Sequence, residues 1–230
     1  MITCSFSRDE GMGSLWSGMG GGHLPKLRAL ELPQNAIGDD DLGRLADALC
    51  RGACPKLRVL DLTTNCIGDA GLAALARAMC SEQPDGRLVL DQLVELKLGH
   101  NLIGDGGARH LADAVSGGAL RNLIELHLDC NLMTDQAAGS RSWIPAPAIH
   151  PSCPYDPPPS PPSRSGESSP VNPAPSSPQA LVRLSKVFRN LAGTLDMLYL
   201  NNNNAGEPGK RAVRQAMAVL NLVEGDSFFV

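Results

Sequence analysis

Leucines recur along the chain in one phrase, LxxLxLxxNxIGDxG, followed each time by a tail whose apolar residues fall at helical spacing. Full copies start at Leu27, Leu57 and Leu93, and weaker copies at Leu123 and Leu195. In LxL, alternate side chains of a short strand point the same way, so the leucines face a core while the residues between them face solvent. Asn35, Asn65, Asn101, Asn131 and Asn203 stand where the chain must leave the strand. A side-chain amide there can bond backbone groups that the turn leaves unpaired, and stacked copies predict an asparagine ladder. Asp39, Asp69 and Asp105 follow glycines and are expected to act as N-caps of helices carrying apolar stripes such as Leu42, Leu45 and Leu49. Repeats of this length cannot bury their apolar side alone and must stack, which predicts an α/β solenoid with a parallel inner sheet and outer helices.

The asparagines are spaced by 30, 36 and 30 residues, and then by 72. The six extra residues of the 36 fall in SEQPDGR, between helix and next strand, where a loop harms neither layer. The 72 contains a stretch with 13 of the 18 prolines, rich in serine, which can form neither helix nor inner strand. Taking out the 42 residues of 139–180 restores a spacing of 30 and one repeat whose helix starts near Asp135. The expected organisation is therefore repeats over 1–138, a disordered insert over 139–180, a final helix, strand and helix over 181–222, and a tail over 223–230. The insert interrupts a helix, so an evolved loop and a retained intron are equally good accounts of it. DEGMGSLWSGM from Asp9 aligns with a helical tail, while MITCSFS before it supplies no LxxLxL. The chain is thus expected to open in mid-repeat, as a fragment.

In register, these phrases resemble the ribonuclease-inhibitor-like class of leucine-rich repeats, over about Asp9 to Ala138 and Leu181 to Val219. The class includes ribonuclease inhibitor, Ran GTPase-activating proteins, tropomodulins and the sensing ends of NOD-like receptors. The fourth copy departs from the pattern at Met133 and Thr134, and the fifth at Ala205 and Glu207. The resemblance implies a horseshoe that holds a protein partner on its concave sheet and brings no chemistry of its own. It implies a scaffold, sensor or regulator, with a Ran-type GTPase-activating protein and a cytoskeletal structural protein as alternatives. The full repeat arc and long acidic tail usual in the GTPase-activating proteins are not in these 230 residues.

The outward strand positions form three columns: Ala29, Val59, Glu95, Glu125, Met197; then Glu31, Asp61, Lys97, His127, Tyr199; then Pro33, Thr63, Gly99, Asp129, Asn201. Glu31, Asp61, Glu95, Glu125 and Asp129 stand against Lys97 alone, so the expected partner presents a basic surface, with Glu31, Asp61, Glu95, Lys97, Glu125, His127, Asp129 and Tyr199 as contact residues. A merely solvated sheet face is the competing reading.

Composition narrows the chemistry further. A net charge of −4 with no basic block excludes a sequence-independent nucleic-acid binder. No run approaches ~18 apolar residues, and the N-terminus lacks the pattern of a signal peptide, so a cytoplasmic protein, free or with the cytoskeleton, is expected. Seven cysteines, an odd number without CxxC, suggest reduced thiols. No cysteine has an arranged histidine base, so no enzyme is expected. GEPGKR and GMGGGH lack the hydroxyl of a phosphate loop, and no cofactor or small-molecule substrate is expected. His100, His127, Asp129 and Cys130 lie on neighbouring strands, but three strand steps put His127 roughly 10 Å from Cys130, so no metal site is expected. In the insert, Pro159, Pro162 and Arg164 fit a PxxPxR ligand, a pattern that arises freely in proline-rich tracts.

Overall fold

A computed structural model describes residues 1–3, 15, 18–19, 24–83, 85–134 and 180–220. The expected insert, apart from Ala180, and the tail from 223 lie outside them. The strands are β1 (Ile2–Thr3), β2 (Ala29–Glu31), β3 (Val59–Asp61), β4 (Glu95–Lys97), β5 (Glu125–His127) and β6 (Met197–Tyr199). The helices are α1 (Asp39–Cys50), α2 (Asp69–Met79), α3 (Asp105–Ser116), α4 (Ala180–Val187) and α5 (Glu207–Leu220), with a 3-10 turn at Phe188–Leu191 after α4. All six strands are parallel and lie side by side in chain order. From β2 onward each strand is followed by a helix, as parallel neighbours require.

Register follows from the leucines. Leu30, Leu60, Leu96, Leu126 and Leu198 stand opposite one another across successive strands, and all are completely buried. Leu32, Leu62, Leu98, Leu128 and Leu200 form a second buried column, closed from behind by Leu42 and Leu45 of α1, Leu72 and Leu75 of α2, and Leu111 of α3. A slip of one residue would turn each of these columns to solvent, which is what fixes the pairing. Each buried leucine contributes about 1.5–3 kcal/mol relative to exposure.

Two expectations are corrected. MITCSFS does supply a strand: Ile2 and Thr3 pair with Leu30 and Glu31, because parallel pairing uses backbone groups and needs no LxxLxL. The loop after α2 lies between helix and next strand as expected, and an antiparallel bridge joins its Glu82 and Leu88. Helix α4 packs between α3 and α5, tied to α3 by an Arg183–Asp113 ion pair of 2.8 Å, and the helix start expected near Asp135 lies outside the described residues.

The second correction concerns the helix starts. Gly38, Gly68 and Gly104 are the N-caps, without a side-chain capping bond, and the aspartates are the first helical residues. Their carboxylates reach sideways to the next rung: Asp39 Oδ1 accepts from the Gly68 N–H, Asp69 Oδ1 from the Gly104 N–H, both at 2.7 Å, and Asp105 Oδ1 from the Thr134 N–H at 2.6 Å. The carboxylates of Asp39 and Asp69 thus face the helix N-terminus of the next rung as well as their own, which favours negative charge.

Candidate functional site

The sheet buries its middle column and leaves two columns on the side away from the helices, half-buried except for the exposed Met197. One reads Ala29, Val59, Glu95, Glu125, Met197 and the other Glu31, Asp61, Lys97, His127, Tyr199, each in register across the strands. Short strands, each with a single inward residue, put every flanking side chain on this face.

The face is acidic with a neutralised centre. Lys97 Nζ lies 2.9 Å from Glu95 Oε2. Its ammonium is held above the ordinary lysine range by the Glu95 hydrogen bond, partly offset by burial, with help from the charges of Glu95, Asp61 and Glu125. His127 stacks on Tyr199 with ring centroids 4.1 Å apart, and its Nε2 lies 3.6 Å from Glu125 Oε2. Asp61 Oδ1 accepts the Thr63 N–H at 2.9 Å. Counting charges in sequence missed both the Glu95–Lys97 pairing and the His127–Tyr199 stack, yet both were legible in principle. Residues two apart on a strand share a face, and residues one rung apart share a column.

At the rim, where the strands end, the chain turns through a left-handed residue in each rung: Gln34, Thr64, His100, Cys130 and Asn202, with φ of 51–58°. The ladder asparagine follows at once. Asn65 Oδ1 accepts from the N–H groups of Asn35 and Ile37, Asn101 Oδ1 from Ile67, Asn131 Oδ1 from Ile103 and Asn203 Oδ1 from Met133. Their Nδ2 groups donate to leucine carbonyls of their own rung and of the one before, as Asn65 does to Leu62 and Leu32. Asn35, Asn65, Asn101 and Asn131 are buried, and Asn203 is half-buried.

Two of the rim residues come together with a third. His100 Nε2 is 3.6 Å from Asp129 Oδ2, and one donor atom each of His100, Asp129 and Cys130 lies within 4.8 Å of the others. Strand spacing alone set His127 apart from this region, and the structure brings the other three, His100, Asp129 and Cys130, together. His127 stays outside the group, turned to Tyr199.

Cysteine positions also refine the sequence reading. Cys50, Cys54, Cys80 and Cys130 are free thiols. Cys66 is disulfide-bonded, against the expectation that all seven are reduced. Cys54 is buried in the core, and that burial pushes its thiol up to about 11. Beside it, the loop after α2 encloses a hollow of about 380 Å³ lined by Lys56, Arg87, Asp85 and Asp91 among others. Their mixed charges select no ligand class.

No curated protein matches the chain. A leucine-rich-repeat family model matches residues 53–76 and 93–112. Among solved structures, the chain is similar to leiomodin-1 actin-binding site 2, at 11% identity over 93% of this chain and 91% of that one, with a TM-score of 0.52. It is also similar to the tropomodulin C-terminal domain of Caenorhabditis elegans, at 12% identity over 92% and 94%, with a TM-score of 0.49. No helix among the described residues is long and apolar enough to cross a membrane. Stacked leucine columns, parallel strands in chain order and the matched repeat units together make this chain a leucine-rich-repeat α/β solenoid.

Proposed function

We propose that the chain is a non-catalytic recognition module that docks a basic protein surface on the open face of its sheet, as part of a scaffold, sensor or regulator. The observation that carries this is the set of half-exposed acids, Glu31, Asp61, Glu95 and Glu125, fixed in register on one rigid face with Asp129 at its edge. Lys97 neutralises Glu95 by direct contact, which leaves Asp61 and Glu125 on either side of that pair to meet incoming lysine or arginine. His127 and Tyr199 add a flat aromatic surface beside them, the kind of rigid anchor that interfaces favour.

Affinity capture at low and moderate salt tests the reading, comparing the native chain with the double variant Glu95→Lys, Glu125→Lys and with a control, Asp40→Lys, Asp47→Lys, on α1. Loss of the captured protein with the sheet variant and its retention with the helix control is the expected result, together with weakening by salt. Equal capture by all three would contradict it.

A cytoskeletal role is the second reading, supported by the fold-level likeness to a leiomodin-1 structure described as an actin-binding site. Co-sedimentation of the purified chain with actin filaments decides it. The proposed compartment is the cytoplasm, where Cys50, Cys54, Cys80 and Cys130 stay free; the Cys66 disulfide argues the other way, and thiol counting on protein extracted from cells resolves the two.

A further inference from the structure

We propose that His100, Asp129 and Cys130 bind a borderline-soft divalent cation, zinc by preference, at the rim where β4 and β5 turn out of the sheet. The site lies beside the docking face and does not depend on what docks there.

The donor set is one imidazole nitrogen, one carboxylate oxygen and one thiolate sulfur, the three donor types that zinc accepts together, whereas calcium and magnesium take oxygen alone. Distances come next. Zinc bonds of 2.0–2.3 Å place the corners of a tetrahedron roughly 3.3–3.8 Å apart. The three donors already lie within 4.8 Å of one another, with His100 and Asp129 at 3.6 Å, so closing the site takes a side-chain adjustment of about 1 Å.

The backbone beneath is fixed. The His100 N–H donates to the Asp129 carbonyl at 2.9 Å and the Cys130 N–H to the Asn201 carbonyl at 2.8 Å, so adjacent rungs hold the donors at constant separation. His100 and Cys130 share the left-handed turn position, with φ of 55° and 51°, and so leave the rim in the same direction. Residue 99 is glycine, and a Cβ there would meet Asp129 Oδ1 at 2.7 Å, so the carboxylate's place over the strand depends on the missing side chain. Behind the sulfur, Asn202 Nδ2 donates to Cys130 Sγ at 3.3 Å, the kind of outer contact that orients a ligand. His100 and Asp129 are both partly open, at 40% and 17% exposure, which gives an ion a path in. On binding, the Cys130 S–H bond breaks, a sulfur–metal bond forms and the proton leaves to solvent. Three protein ligands leave one position for water or an outside donor.

The test is titration of the full chain, free thiols kept reduced, with zinc followed by calorimetry and with cobalt(II) followed by its thiolate charge-transfer absorption. His100→Ala, Cys130→Ser and a distant thiol control, Cys50→Ser, are run alongside, with circular dichroism confirming that each is folded. The expected result is one equivalent bound, weakened at least about tenfold by His100→Ala and by Cys130→Ser and unchanged by Cys50→Ser. Should Cys130→Ser fold poorly, weakened binding by His100→Ala together with loss of its cobalt–thiolate band supports the site equally well. Absence of stoichiometric binding, or binding that survives His100→Ala, overturns the proposal; the latter would mean a lone thiol taking up metal.

Discussion

Asn65 shows how much of this fold rests on single residues. Its Oδ1 takes the N–H groups of Asn35 and Ile37 at 3.0 Å each, and its Nδ2 reaches the carbonyls of Leu32 and Leu62 at 2.9 Å, all away from water. Removing one amide strands backbone groups on two rungs, each costing about 1–3 kcal/mol when left unpaired. Asn65→Ala is therefore expected to lower stability by about 3–4 kcal/mol in urea unfolding. Asn203→Ala should cost about 1–2 kcal/mol, because Asn203 is half-buried and its bond from Met133 is 3.3 Å long. Equal losses at the two positions would argue against the ladder as the source. Glycines give a second contrast. A Cβ on Gly71 would meet Asp39 Oδ1 at 2.6 Å and its Cα at 3.0 Å, whereas on Gly43 it meets nothing within 4 Å. Gly43→Ala should raise the thermal midpoint, by about 0.5–1 kcal/mol of stability, and Gly71→Ala should lower it.

At the scale of elements, the helices are joined to one another by acids as well as by apolar contact. The leucine stripe and the glycine–aspartate start were legible in sequence, because each repeats in every full copy. The reach of Asp39, Asp69 and Asp105 was not. Each carboxylate's acceptor role involves a group 29 or 35 residues away, and that neighbour exists only after the rungs stack. The rim trio was in part legible, since strand spacing groups His100, Asp129 and Cys130 on neighbouring rungs, but the approach of His100 to Asp129 across strands rests on the direction of a left-handed turn. β1 was missed because pairing through backbone groups leaves no mark on side-chain pattern. One element-level prediction follows from Cys54, which is buried just after α1. Its folded thiol holds its proton to about pH 11 while the unfolded thiol loses it near 9.0, so the folded state binds the extra proton between these values. Stability is then fully present below pH 9 and falls as pH rises toward 11. Cys54→Ala should flatten that part of the profile in urea melts across the range, and an unchanged slope would contradict the assignment.

For the whole molecule, each helix packs on its sequence neighbours, and each strand pairs with the strands before and after it. Stability in such an array is a sum of rungs and of the interfaces between them, without long-range closure. The acidic face inherits this property: the positions of Asp61, Glu95 and Glu125 relative to one another depend only on the stacking of three adjacent rungs. A partner would meet acids already held at strand spacing, with little ordering left to do on binding.

Stacking of the rungs is thus the claim on which both the proposed docking face and the proposed rim site rest. Amide hydrogen exchange of Ile37, Ile67 and Ile103, read residue by residue by NMR, tests it most directly, since each N–H lies outside the strands and is bonded to the asparagine of the next rung. All three should exchange slowly, with protection comparable to that of the buried strand leucines. Exchange at the rate of exposed loop amides, with the strands still protected, would contradict the account.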